Sequence, residues 1–398
     1  MKTTTRPAFA ALILTLATGC HAVSTPAPAA APRVVHAEHE HEDLAAQLVA
    51  SEMAAAREGT PLPLPSAQPG QLVQPGCSAA PAQKGFYGFY ANDAWAQGRV
   101  VLTFDDGPHP KFTPRVLDLL AEKKMKATFF VVGRNISRDT YPLIQRMVAD
   151  GHTLGSHSYS HDVLMTKVAT PADTVETIRS QHEVTTILID IALVAKSADD
   201  FDALFRSTFE HEPATWMTAT GIKKTWRSAA TRHEANLKAR GFDGGVRPYA
   251  VLYSRPPGGG PYVEQDGGAG IKLYDEALTK LGMMNVMWHG ASGDTVPDKR
   301  SDFAFLTKNM EKYAKQGGVL LIHDYMRPDA LEVSLAKIDV DPHVEVMSME
   351  DAVRTKYACS VGGLGQKLDD RGMDAILRRG FGLPPARPAS EPSFALSR

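Results

Sequence analysis

The chain has little net charge, few cysteines and no long apolar run beyond its first residues. A formal charge of -2 over 398 residues supplies no basic field of the kind nucleic acid requires. Nothing after the N-terminus approaches the roughly 20 consecutive apolar residues that span a bilayer, so no membrane-spanning helix is expected in the mature chain. The pattern His-Glu-x-x-His does not occur, which argues against a zinc peptidase. Internal repeats are absent. What is present is ordinary for a protein that buries a real core: 43% hydrophobic and 22% charged residues. The length suits one large barrel-sized domain plus extensions.

The first residues read as an export signal. Lys2 and Arg6 give a basic start, and Ala8 to Ala17 form an apolar stretch too short to span a bilayer. Ala17-Thr18-Gly19-Cys20 resembles a bacterial lipoprotein cleavage box, so 1–20 is expected to be removed or to end in a lipidated Cys20, which would hold the protein at a membrane in the cell envelope. The alternative is a simply cleaved, exported protein. Cys77 and Cys359 then remain, either as a disulfide stapling the domain ends or as two free thiols. Residues 21–98 form an Ala/Pro-rich tether and N-terminal extension. Within it, His36 to Asp43 is either a weak metal-binding tract or a solvated acidic segment, and Asp43 to Arg57 reads as a helix. Residues 359–398 read as a mobile tail.

From Arg99 the pattern changes. Arg99 to Phe104 reads as a buried strand, Pro114 to Lys124 as a helix, Ala127 to Val132 as a strand, Tyr141 to Asp150 as a helix, and Leu154 to Ser156 as the start of a third strand. Gly318 to His323 is a late, fully apolar strand. This alternation predicts a parallel sheet or α/β barrel. Residues 166–250 have helical character: Thr170-Pro171 followed by Asp173 is a helix start, and Leu188 to Val194 and Phe201 to Phe209 carry helical apolar spacing.

Four places carry chemistry. Asp105 and Asp106 end the first strand before Gly107-Pro108. Neighbouring strand residues point apart, and the Gly-Pro turn can bring both carboxylates to one site, where mutual repulsion favours a cation. His157 and His161, four apart, can face one ion from a helical turn or tight loop. With one carboxylate they make a donor set that leaves positions open for water and substrate. Arg255-Pro-Pro-Gly-Gly-Gly-Pro261 fixes an arginine beside glycines that allow close backbone approach, unless it is only a surface turn. His323 leaves an apolar strand at its C-terminal edge, where it is either half-buried core or placed for catalysis.

Together these residues resemble the polysaccharide deacetylase family, the nodulation-type deacetylase homology domain of carbohydrate esterase family four. Thr103-Phe-Asp-Asp-Gly-Pro108 is similar to its first motif, His157-Ser-x-x-His161 to its second, Arg255-x-Pro257-Gly258-Gly259 to its third and Leu321-Ile-His323 to its fifth. The second strand, Lys126 to Gly133, is also of the family's type. The resemblance implies a distorted (β/α) barrel over 99–358 with a helical insertion at about 166–250. It implies a divalent ion, zinc most often, on Asp106, His157 and His161. Asp105 would be the base, held by Arg255; His323 the acid, tuned by Asp294; and a backbone N–H near Gly258 an oxyanion donor. Pro257, Gly258, Gly259, Trp288 and Leu321 would line the substrate. The implied activity is hydrolysis of N-acetyl groups on an N-acetylglucosamine-type polysaccharide, releasing acetate.

The fourth motif departs from the pattern. Trp288-His-Gly-Ala-Ser-Gly-Asp294-Thr295 keeps the second acidic residue, but Ala291 stands where an aspartate is usual and Thr295 where an aromatic lines the groove. The crossing from the second to the third motif is also unusually long, and its extra helices are expected at the barrel rim. Trp216 and Trp226 within it either stack on sugar rings or form the insert's core. O-acetyl esterase activity and a non-catalytic polysaccharide-binding role are the alternatives; retention of both Asp105 and His323 speaks against the second.

Overall fold

The computed structural model describes residues 96–357 except 164, 166–169, 214, 216, 243–246 and 263–268. The export signal, the tether, Cys20, Cys77, Cys359, Trp216 and the C-terminal tail lie outside the described residues. Among the described residues, no helix is long and apolar enough to cross a membrane.

Among the described residues, eight strands form one sheet: β1 (Arg99–Asp105), β2 (Ala127–Val131), β3 (Thr153–Ser156), β4 (Tyr253–Ser254), β5 (Met284–Asn285), β6 (Gly290–Ala291), β7 (Gly318–His323) and β8 (Glu345–Val346). The order is β5-β4-β3-β2-β1-β7-β6, with β8 paired to the start of β1. Every pairing is parallel. Such a sheet must be covered on both faces, and the sequence obeys this: β2 and β7 are buried at every position and β1 at all but its first. The end strands β5 and β6 are not paired with each other among the described residues, so the (β/α) barrel is distorted and open. Register places Asp105 beside His323 across β1 and β7, which fixes both chemical groups at the same sheet edge.

Nine helices occur among the described residues: α1 (Thr113–Glu122), α2 (Tyr141–Ala149), α3 (Pro171–Val194), α4 (Ala198–Phe209), α5 (Ala219–Ala239), α6 (Ala269–Leu281), α7 (Phe303–Gln316), α8 (Pro328–Val340) and α9 (Met349–Tyr357). Local chemistry sets their starts. Thr170, Ser197, Thr218 and Asp302 each cap a helix by accepting a backbone N–H, from Asp173, Asp200, Gly221 and Phe305 respectively.

Among the described residues, the expected helical insertion contains three helices that behave differently. α3 is buried over most of its circumference and packs against α2, α5, α6 and β3. Its buried Val, Ile and Leu side chains each contribute about 1.5–3 kcal/mol, and its buried polar groups find partners, as Gln181 and His182 do. α4 and α5 pack on α3 and on each other. A buried charge cluster joins these layers: Asp190 on α3 accepts from Arg247 at 2.6 Å and contacts His233 on α5 at 3.1 Å. Arg247 also donates to Glu183 at 3.0 Å.

Trp226 answers the question the sequence left open. It is 7% exposed, donates to Glu176 at 2.6 Å, and lies against the guanidinium groups of Arg179 and Arg227. Its ring is committed to the α3–α5 interface and does not present a face to a sugar. The insert meets the sheet edge elsewhere, where the Met217 N–H donates to the buried Tyr159 hydroxyl at 3.1 Å.

Candidate active site

The two aspartates reach one site because the chain turns sharply after β1. Asp106 has φ 74°, the left-handed region, and so leaves the strand direction that Asp105 still follows. Its carbonyl is held by the Asn135 side chain at 2.8 Å. The histidine pair sits on a tight loop, not a helical turn, with Ser158 at φ 63° and His161 at φ 55°. Gln181 on α3 clamps that loop: its side-chain oxygen accepts from the backbone N–H groups of Tyr159 and Ser160 at 3.1 and 2.9 Å and from the Ser160 hydroxyl.

The result is a compact donor set. One ligand atom from each of Asp106, His157 and His161 lies within 4.8 Å of the others. His161 Nε2 is 3.1 Å and His157 Nε2 3.6 Å from Asp106 Oδ1. That oxygen is buried and has no hydrogen-bond partner. An unsatisfied buried carboxylate oxygen is costly, and a cation between it and the two imidazoles removes the cost. His157 Nδ1 bonds the Arg255 carbonyl at 2.9 Å, which puts its proton there and leaves Nε2 free to coordinate. Burial, aided by His161, holds the His157 pKa well below its usual value, so the ring is neutral, as a ligand must be. Burial pushes the Asp106 carboxyl up, but the imidazoles of His161, His323 and His157 outweigh it and hold the group well below the usual carboxylate range. Two nitrogens and one oxygen, deprotonated and preset, fit a divalent ion.

Asp105 stands beside this trio with a different environment. Its Oδ2 is 3.7 Å from His157 Nε2, and its Oδ1 accepts from Arg255 at 2.8 Å. Burial raises its pKa to about 6, with Arg255 and His323 opposing the rise. Arg255 is fully buried and over-determined: it donates to the Val286 carbonyl at 2.8 Å and to the Thr103 hydroxyl at 2.9 Å, and its guanidinium lies 4.2 Å from the Phe130 ring centre. Trp288 packs at 5.4 Å on the same guanidinium.

His323 approaches from β7, with Nε2 4.0 Å from Asp106 Oδ2. Asp294 holds it by two contacts: Oδ1 takes the ring Nδ1 at 2.9 Å and Oδ2 the backbone N–H at 2.8 Å. An ionised carboxylate only accepts, so Nδ1 carries the proton and Nε2 faces the site. Leu321 is buried two residues back on β7. Pro257 and Gly259 are buried in the turn after Arg255, in which Gly258 and Gly259 adopt φ 59° and 74°. The structure thus gathers Asp105, Asp106, His157, His161, Arg255, Asp294 and His323, and sets Trp288 against Arg255.

Sequence reasoning missed Asp324. It is 3% exposed, accepts from the Thr113 hydroxyl, and burial raises its pKa to about 7. A side chain at Gly107 would meet its carboxylate at 2.5 Å, so a larger residue there would have to displace Asp324. Thr113 also accepts the His109 N–H at 2.8 Å. Thr103 and Gln181 were missed as well. Their partners lie far away in the chain, and no local pattern marks them.

Residues 93–191 match the polysaccharide deacetylase family. The chain is 56% identical over 62 residues to a chitooligosaccharide deacetylase of Sinorhizobium fredii, covering 16% of this chain and 28% of that protein. It is 41% identical over 76 residues to a peptidoglycan-N-acetylglucosamine deacetylase of Bacillus cereus, covering 19% and 27%. Over 92 residues it is 46% identical to a chitin deacetylase of Colletotrichum lindemuthianum, covering 22% and 36%. The match therefore spans about a third or less of these relatives. Among solved structures, the peptidoglycan deacetylase PdaC of Bacillus subtilis aligns with a TM-score of 0.42 and 21% identity, covering 66% of this chain and 94% of that one.

Proposed function

We propose that the protein hydrolyses N-acetyl groups from an N-acetylglucosamine-containing polysaccharide, using a divalent ion, zinc in the first instance, on Asp106, His157 and His161. One observation carries the reading: a paired base and a paired acid flank the same donor trio. Asp105 with Arg255 meets its His157 side, and His323 with Asp294 meets its Asp106 side. Binding alone has no use for both.

The ion would polarise the acetamido carbonyl and acidify water, as divalent ions do in open sites of this type. Asp105, with a pKa near 6, is ionised at neutral pH and close enough to it to accept a proton effectively. As water adds to the carbonyl carbon, Asp105 takes its proton. Arg255 keeps the carboxylate aimed. His323 gives a proton from Nε2 to the departing nitrogen as the C–N bond breaks, and Asp294 stabilises the imidazolium before transfer. The products are acetate and an amino sugar. The named activities of the relatives, on chitooligosaccharide, chitin and peptidoglycan, support this class of substrate.

The test is acetate release by the zinc-loaded protein from chitopentaose, acetylated xylan and peptidoglycan. Release from an N-acetylated substrate is expected. Release from acetylated xylan alone would replace the amide reading with an ester one. Zinc binding with no acetate from any of the three would leave a binding protein.

A further inference from the structure

The fourth motif has Thr295 where the resemblance leads one to expect an aromatic. The structure puts other groups there. A pocket of about 450 Å³ opens beside His323, lined by Asp294, Thr295, Arg300, Ser301, Tyr325 and Arg327. It is continuous with the acid: Asp294 bonds His323, and the Tyr325 ring stacks on the His323 imidazole at 5.1 Å with the planes 21° apart. Tyr325 is nevertheless 42% exposed. It supplies from the loop after β7 the ring surface that position 295 lacks.

The charges decide what the pocket takes. Asp294 is committed to His323 through both oxygens. Arg327 is committed to Asp329 at 2.7 and 2.8 Å and to the Ser301 carbonyl at 2.6 Å. Arg300 is different. Its backbone N–H bonds the Val296 carbonyl, but among the described residues its guanidinium has no hydrogen bond or ion pair. Arg300, exposed to solvent, is thus the lining residue of this pocket whose guanidinium has no partner among the described residues, and the pocket begins at the catalytic acid. A guanidinium matches a planar carboxylate with two parallel N–H donors and gains little from neutral hydroxyls. Resting on the deacetylase reading, we propose that this pocket is a subsite for a carboxylate carried by the sugar next to the one being deacetylated, with Arg300 reading the carboxylate and Tyr325 supporting the ring. The polymer is thus an acidic glycan in which N-acetylated sugars alternate with carboxylate-bearing ones. A uronic acid and a lactyl ether both supply that group.

The experiment compares three oligosaccharides of matched length: chitotetraose, an alternating N-acetylglucosamine–glucuronate tetramer, and a peptide-free alternating N-acetylglucosamine–muramyl tetramer. Acetate release is measured with the full chain and with Arg300→Ala and Arg300→Lys. At least one acidic tetramer is expected to show a KM about tenfold below that of chitotetraose, as one charge-assisted contact allows. Arg300→Ala should remove that advantage without changing chitotetraose kinetics, Arg300→Lys should restore part of it, and added salt should narrow it. Which acidic tetramer wins identifies the source of the carboxylate. Equal KM values for all three, or an Arg300→Ala effect common to neutral and acidic tetramers, would overturn the proposal. Absence of acetate from every tetramer would instead count against the deacetylase reading. The subsite would still be decided by calorimetric binding of the same tetramers to the Asp105→Asn variant, with and without Arg300→Ala.

Discussion

Replacing Arg255 by Met isolates the element on which the base depends. The guanidinium is fully buried and makes three hydrogen bonds, to Asp105, Thr103 and the Val286 carbonyl, while sandwiched near Phe130 and Trp288. Methionine keeps apolar contact with the rings but strands the Asp105 carboxylate, which is 2% exposed. Removing one member of a buried ion pair costs about 3–5 kcal/mol. The sign of its pH dependence follows from Asp105. Its folded pKa, about 6, already lies above its ordinary value of 3.8 because of burial, and Arg255 is the largest force opposing that rise. Without Arg255 the folded value climbs further. The variant's stability deficit is therefore present at alkaline pH and shrinks as protonation neutralises the stranded charge on acidification. Urea unfolding at pH 8 and pH 5, with chelator present to remove metal binding from the comparison, reads this directly. A cooperative transition with a deficit under about 1 kcal/mol, or one equally large at both pH values, would refute the reasoning.

Other consequences are open to simpler assays. Asp294→Asn removes the acceptor that fixes the His323 tautomer and steadies its imidazolium, so kcat for acetate release should fall by about 10²–10³-fold with KM little changed; an unchanged kcat would show that Asp294 is only a backbone tie. His182 is wholly buried, and burial lowers its pKa from 6.5 to about 3. Its contribution to stability is intact above pH 6.5 and is lost as the pH falls from there toward 3, with a ceiling of about 5 kcal/mol at about 1.36 kcal/mol per pH unit. His182→Gln should flatten that part of the stability–pH curve measured by urea midpoint. Gly155→Ala would set a methyl 2.6 Å from the Phe130 ring that supports Arg255, so a loss of about 1–3 kcal/mol is expected in thermal or urea unfolding.

The parts legible in the sequence were those written locally. β1, β2 and β7 are apolar runs, four helix starts carry their own caps, and Asp105, Asp106, His157 and His161 lie in two short motifs at strand ends. Asp294 was legible through its place in the fourth motif despite the changes around it. The short strands β4, β5, β6 and β8 have two residues each, too few for an alternation or apolar run to emerge. Asp324 adjoins His323 in sequence, yet its meaning comes from Thr113 on the far side of the β1–β7 junction. Gln181 reads as an ordinary helix residue until the fold sets it under the His157–His161 loop. Trp226 admitted two readings because an indole serves a sugar face and a helix interface equally well; Glu176 and the two arginines around it decide for the interface.

The central claim, a metal-dependent amide hydrolysis with Asp105 as a base distinct from the ligands, is tested most directly by acetate release from chitotetraose before chelation, after it, and after one equivalent of Zn²⁺ is returned, in wild type and Asp105→Asn. Wild type should lose activity and regain it, and Asp105→Asn should bind one equivalent and release no acetate. Acetate release indifferent to chelation, or an Asp105→Asn variant that keeps its activity, would contradict the claim.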